Sequence, residues 1–332
     1  MVTVGFMLSS EDHDPRTLID TGARAEQAGL RKLWISDHFH PWNAEQGHAP
    51  FVWSVIGGLA VATSEMEVFT AVTCPTVRLH PAIVAQAAAT TEAMYPGRHW
   101  LGLGSGEALN EHVVAGYWPE GPQRVSMLFE AVRLIRQLFE ASLAGKDTKF
   151  AGEHFRMEST RLWTMPEQAP PVYVATAGPV SSKRTGKYCD GLITVGAPLS
   201  KIDMILTKFA EGAREEGKDP DTMPKLLQLH LSWAETDEQA LANALDQWPN
   251  GGMKFPKADI RSPHDFAAMA QLVRAEDFEG RMIVSADPDE HRAYIQTFFD
   301  AGIDKVYLHN VGRNQREFLE VFGRDVLPAL HR

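Results

Sequence analysis

Between Ser36 and Pro50 the chain places Asp37, His38, His40, Trp42, Glu45 and His48 within fifteen residues. These side chains accept, donate and hold protons. Imidazole has the ordinary pKa nearest to neutrality, so His38 suits a general base. Asp37 beside it suits orienting that ring or binding a hydroxyl. The Trp42 indole N–H suits an oxyanion or an alcohol oxygen. The same residues also suit a plainer role, with His38 a hydrogen-bonded loop residue and Trp42 packed on the lip of the fold.

Three further places could carry chemistry. Gly102–Glu111 reads GLGSGEALNE. Its glycines point to close backbone approach to a ligand, and Glu107 is placed to act as an acid on a ring nitrogen or oxygen. The stretch also reads as a glycine-rich turn into a helix. It lacks the spacing and the later acidic residue of a dinucleotide fingerprint. Ala175–Pro179, ATAGP, can open a helix whose first N–H groups face a phosphate, a start that also occurs without a ligand. Lys201, Lys254, Lys257 and Arg281 are the residue types that hold phosphate, although surface lysines often hold nothing. There is no HExxH, P-loop or CxxC pair. His38, His40, His48 and His112 lack the i,i+4 ligand spacing of a metal site, and no metal is expected.

These residues need a frame. Short apolar runs alternate with helical patterns: Thr3–Ser9 with Pro15–Ala28, Leu33–Ser36 with Phe51–Thr63, Glu67–Thr73 with Pro81–Met94, and Trp100–Gly104 with Arg124–Leu143. The series continues with Pro171–Thr176 and Val180–Tyr188, Gly191–Val195 and Ser200–Glu216, Leu226–Trp233 and Asp237–Asp246, and Lys305–Asn310 and Asn314–Ala329. The strands read as apolar on both faces. Eight such units predict a (β/α)8 barrel rather than an open doubly wound sheet. We read one domain over residues 1–332, with a hairpin-like insertion at Gly145–Pro170 and extra helices at Trp248–Ala286. Candidate groups then fall after strands, at the barrel mouth where such folds keep their active sites.

Composition sets outer bounds. The chain has 332 residues, 44% hydrophobic, with a net charge of −11. That charge argues against a nucleic-acid partner but leaves room for a small anionic substrate. Cys74 and Cys189 stand far apart, which suits a reducing compartment rather than a disulfide framework. No leader and no apolar segment of membrane-spanning length is visible, so a soluble cytoplasmic protein is expected, with no membrane partner.

Taken together, SDHFHPW, QGHAPF, CPTVRLHPAIVAQA, GSGEALNE, AGP and Arg281 with SADPDE resemble the deazaflavin-dependent branch of the luciferase-like barrels. They look most like the glucose-6-phosphate dehydrogenases that use coenzyme F420, and the resemblance covers essentially the whole chain. It implies a homodimeric TIM barrel with the deazaflavin in its mouth. His38 would take the proton of the sugar C1 hydroxyl while the C1 hydride passes to C5 of the cofactor. Trp42 would stabilise the developing oxygen charge, and Glu107 would protonate or neutralise the ring at N1. Asp37, Ala71, Val72, Thr73 and Asn110 would hold the cofactor, with Ala177, Gly178 and Pro179 at its phosphate tail. A non-proline cis peptide would fall at Ala71–Val72. Glu11, Trp42, Lys201, Lys257 and Arg281 would hold a sugar phosphate.

The chain departs from that pattern at the phosphate site. The family's third lysine lies just after strand six, where this chain has Thr194–Pro198, with Lys201 three positions on. Either Lys201 supplies the cation or the pocket differs. A contacting threonine is likewise replaced by Val195 or shifted to Thr194. Oxidation of a non-phosphorylated alcohol, an FMN-dependent monooxygenase and a non-catalytic cofactor-binding barrel are the competing readings.

Overall fold

Apolar parallel strands must be covered on both faces, and closing the sheet on itself meets that need without leaving an edge. The computed structural model describes residues 3–330, so the outermost positions of the 1–332 span lie outside the described residues. In chain order the strands are β1 (Thr3–Leu8), β2 (Lys32–Ile35), β3 (Glu67–Thr70), β4 (His99–Leu103), β5 (Thr148–Ala151), β6 (Arg156–Thr160), β7 (Val172–Ala175), β8 (Gly191–Val195), β9 (Lys225–Trp233), β10 (Ile283–Ser285) and β11 (Lys305–Asn310). β1, β2, β3, β4, β7, β8, β9 and β11 pair in that order, and β11 returns to β1. Every pair is parallel, giving the closed eight-stranded barrel expected from the apolar runs.

Side chains alternate across each strand. Phe6, Leu8, Leu33 and Ile35 point outward into the layer of helices. Met7, Trp34, Phe69, Trp100, Tyr173 and Tyr307 point inward and fill the barrel. Trp34 stacks on Tyr307 at 4.0 Å, and Phe69 on Trp100 at 4.7 Å. This aromatic plug forms a solid floor under the mouth.

The helices mostly begin where proline is tolerated, in the first turn: Pro15–Gln27, Pro81–Met94, Gly121–Leu143 and Pro179–Tyr188. Two expectations need correcting. Pro288–Asp300 is a helix that sequence reading passed over, although Asp287 caps it and Pro288 opens it. It covers the outside of the barrel with Ile295, Phe298 and Phe299 and carries the chain back to β11. The last helix was expected over Asn314–Ala329. It is regular only over Gln315–Val321, then widens at Phe322–Val326 and tightens at Leu327–Ala329, with Gly323 and Pro328 in the broken part.

Two segments stand outside the basic repeat. β5 and β6 form an antiparallel hairpin on the long helix Gly121–Leu143, packed through Phe155 and Phe150. The buried Glu130 carboxylate accepts from the N–H groups of Glu153, His154 and Phe155 and so pins the turn. The segment from Trp248 to Ser285 builds a separate apolar cluster from Trp248, Met253, Phe266, Phe278 and Met282, against which Trp42 packs. β10 pairs with the far end of β9, beyond the stretch that β8 covers. The segment therefore roofs one side of the barrel mouth.

Candidate active site

A cavity of about 330 Å³ opens above the aromatic floor, at the C-terminal ends of the strands. His38 and Glu107, read from sequence as base and acid, and Trp42, read as stabilising an oxygen charge, all line it, as do Asp37, Ala71, Val72 and Asn110.

His38 has a partner from another strand. Glu11, just past the end of β1, places Oε1 2.6 Å from His38 Nδ1. Its other oxygen accepts from Ser9 and Ser36 hydroxyls at 2.8 Å each. Glu11 is 2% exposed. Burial alone would raise its pKa, but the charge and hydrogen bond of His38, with the two serines, outweigh it and hold the carboxyl at about 2. Burial likewise pushes the His38 ring down, yet Glu11, then Glu107 and Asp37, raise its pKa overall. Glu11, expected to hold substrate, lines the cavity, and its contact with Nδ1 also positions the imidazole, leaving Nε2 for a bound molecule.

Asp37 does not orient His38. Its carboxylate receives the Arg78 guanidinium at 2.7 Å and the Thr73 hydroxyl at 2.7 Å. Arg78 also faces Glu111, whose Oε2 accepts the Arg78 backbone N–H at 2.7 Å. All three charged side chains are buried. Thr73, expected to touch the cofactor, thus serves Asp37. The network ties the end of β2 to the loop after β3 and to the short helix after β4.

Glu107 is half-buried on the cavity wall. Burial, then the charge of Glu11, raises its pKa against the opposing pull of His38, Lys257 and Arg124. The glycines before it have a different reason from the one read in sequence. A Cβ on Gly102 would overlap the Thr70 carbonyl oxygen, and one on Gly104 would press on Val72 Cγ2. They let β4 lie close against β3 rather than only admit a ligand. Gly106 has φ of 85°, a left-handed conformation that favours glycine. Asn110 Oδ1 accepts from the N–H groups of Phe39 and His40 at 2.9 and 3.1 Å, clamping the histidine loop. The Ala71–Val72 peptide is cis, where the resemblance put it.

The remaining predicted residues divide. Ala177 lines the cavity; Gly178 and Pro179 lie beyond it, at the start of the helix Pro179–Tyr188. Lys257 is half-buried, donates to the Asn250 carbonyl at 2.9 Å, and is close enough to Glu107 and Arg281 for their charges to act on it. Arg281 reaches the Met253 carbonyl at 3.4 Å. Both belong to the roofing segment, and neither lines the cavity. Lys201 is exposed on the first turn of the helix Leu199–Glu215 and does not line the cavity. Lys254 is exposed, is turned to Asp277 at 2.8 Å, and does not line the cavity.

Sequence reading missed Arg78, Glu111, Trp248, His230 and His309. The last three line the same cavity. The inward phase of β9 and β11 could have singled out the two histidines, because buried imidazoles need partners. Thr194, not Val195, is the buried member of its pair, and its hydroxyl has no partner among the described residues.

A closed parallel barrel with an acid–base pair at its C-terminal mouth has the layout of a barrel enzyme. Residues 2–305 match the luciferase-like monooxygenase family, and the chain belongs to it. The F420-dependent glucose-6-phosphate dehydrogenase of Amycolatopsis mediterranei (strain U-32) is 35% identical, the match covering 99% of each chain. That of Rhodococcus erythropolis is 36% identical over 98% of this chain and 97% of its own. Among solved structures, an F420-dependent secondary alcohol dehydrogenase in complex with an F420-acetone adduct is 33% identical. It superposes with a TM-score of 0.93 over 100% of this chain and 99% of its own. The F420-dependent tetrahydromethanopterin reductase of Methanopyrus kandleri, 21% identical with a TM-score of 0.81 and 99% of both chains covered, shares the fold.

Proposed function

We propose that this chain is a coenzyme F420-dependent dehydrogenase that removes hydride from C1 of a sugar 6-phosphate, acting in the cytoplasm as a homodimer. The observation that carries this reading is the Glu11–His38 pair facing a cavity that Glu107 also lines.

The residues fit a deazaflavin. Ala71, Val72, Ala175 and Ile193 provide an apolar bed for a flat ring, and the Thr194 hydroxyl is a buried donor on the same wall. Asp37 and Asn110 border that space, and Ala177 leads toward the helix start at Pro179. When bound, the deazaflavin accepts hydride at a ring carbon and reacts poorly with oxygen. Glu11 holds His38 Nδ1, so Nε2 is the atom that takes the alcohol proton. The Trp42 ring lies edge-on to His38 at 5.2 Å and lines the same cavity, where its indole N–H suits the developing oxygen charge. Glu107 keeps its proton to higher pH because it is buried, which makes it the donor on the cofactor side.

Lys257 and Arg281 support a phosphate at the roof. A second reading, oxidation of a non-phosphorylated secondary alcohol, is favoured by the outward position of Lys201 and by the likeness to the alcohol dehydrogenase. Exposed Phe51, Val61, Ile83 and Met94 on and beside the helices Val52–Ala62 and Pro81–Met94 support a subunit interface. Free Cys74 and Cys189 suit a reducing compartment, and no described helix is long and apolar enough to cross a membrane.

Loss of oxidised deazaflavin absorbance should be followed with glucose, mannose and fructose 6-phosphates, free sugars and simple alcohols. Turnover of a sugar phosphate with F420 and not FMN is expected. Turnover of simple alcohols alone would replace the first reading with the second.

A further inference from the structure

His230 and His309 take no part in the proton transfer above, yet both line the same cavity. They face each other in register across β9 and β11, with their Nδ1 atoms 2.8 Å apart. Such a contact holds one proton, so one ring donates and the other accepts. Each ring is thereby held by the other, and His230 Nε2 is left for a bound molecule. Asp12 Oδ2 stands 3.9 Å from His309 Nε2, beyond hydrogen-bond distance.

The ring is fixed in place. Trp248 stacks on it at 4.5 Å, with 25° between the planes. Trp42 meets Trp248 edge-on at 6.0 Å and His38 at 5.2 Å. Two tryptophans thus join His38 to His230 along one wall, within reach of a single small molecule. Burial, reinforced by His309 and Lys257 and opposed by Glu11, pushes the His230 pKa well below its ordinary value, so the ring is neutral.

We propose that His230 Nε2 hydrogen-bonds a second, non-reacting hydroxyl of the substrate, with His309 as its positioning residue, so that this enzyme selects polyols over monohydric alcohols. The inference rests on the dehydrogenase reading and deepens it. A neutral ring at this point offers no charge to a phosphate, which leaves the phosphate to Lys257 and Arg281. A site built to bond a hydroxyl discriminates strongly against the analogue that lacks it.

The test compares glucose 6-phosphate with its 2-, 3- and 4-deoxy analogues by calorimetric titration of the wild-type protein, His230→Phe and His230→Gln. The wild type should bind one deoxy analogue about fivefold to tenfold more weakly than the parent. H230F should bind the two alike. H230Q, which restores a hydrogen-bonding group, should recover part of the difference, and melting curves establish that both variants fold. Equal affinities in the wild type overturn the inference, as does an equal loss for parent and all analogues in H230F. Absence of turnover with every sugar phosphate would sink the function proposed above. The inference is then decided by the wild-type preference in kcat/KM for 1,2-propanediol over 2-propanol. That preference must shrink in H230F, and its absence or persistence overturns the inference.

Discussion

Glu11 Oε1 and His38 Nδ1 meet at 2.6 Å between the ends of β1 and β2, and the carboxylate is 2% exposed. The two groups shift each other in opposite directions, which makes the contact a source of pH-dependent stability. Glu11 falls from 4.5 to about 2, so its contribution is present above 4.5 and lost as pH drops through about 2. His38 is raised above 6.5, so its contribution is present below 6.5 and lost as pH climbs through the raised value. The pair is at full strength between those limits. Glu11→Gln should lower stability most between pH 4.5 and 6.5, by an ionic part of about 3 kcal/mol. The gap should narrow on either side. Thermal unfolding of both proteins across pH checks this, and a gap independent of pH would show that the pair is not ionic.

Arg78 stands between Asp37 and Glu111, with side-chain exposures of 7%, 0% and 1%. Removing one partner of a buried charge cluster leaves the others unpaired, at a cost of about 3–5 kcal/mol. Arg78→Met should show a loss of that order in urea unfolding. Adding Glu111→Gln should recover part of it, because burial already raises the Glu111 pKa and the carboxylate would no longer need a cation. A loss of less than about 1 kcal/mol, the scale of an exposed pair, would mean that water reaches the network.

The two lysines should behave differently. Lys257→Ala should raise KM for a sugar phosphate about tenfold with a smaller effect on kcat, the pattern of a contact made equally in ground and transition states. Lys201→Ala should leave both unchanged, since Lys201 is exposed, whereas Lys257 is half-buried and feels the charge of Glu107. Initial rates over a range of substrate concentrations decide it. A KM effect from Lys201 would show that its helix moves inward on binding.

Two glycines separate architecture from ligand contact. Gly102→Ala puts a methyl group into the Thr70 carbonyl oxygen and should cost about 1–3 kcal/mol or more, as overpacking does. Gly178 has φ of −132° and nothing within 4 Å of an added Cβ, so Gly178→Ala should change stability by less than about 0.5 kcal/mol. Denaturant midpoints measure both. A destabilised G178A would show that the helix start is tightly packed.

Much of the frame was legible because it depends on local pattern. Apolar runs such as Lys32–Ile35 and Lys305–Asn310 stand out against amphipathic neighbours, and proline marks several helix starts. Because the strands are parallel, every loop after a strand emerges at the same end. That alone brings His38, Trp42 and Glu107 to one cavity. The Asp287–Pro288 helix signal was also present and was overlooked, since the extra segment before it blurred the repeat.

Which side chains meet was not legible. Whether Glu11 or Asp37 orients His38 depends on the register of β1 against β2, and chain adjacency pointed to the wrong carboxylate. The same holds for His230 and His309, which face each other only because β9 and β11 pair in register, and for Gly102, whose bareness serves a neighbouring strand. Lys201 has the right charge in nearly the right place, but a helix turn aims it at solvent. Residue type and periodicity determined the barrel and the kind of chemistry at its mouth. Strand register and side-chain direction, set by packing across the whole ring, decided which groups form pairs.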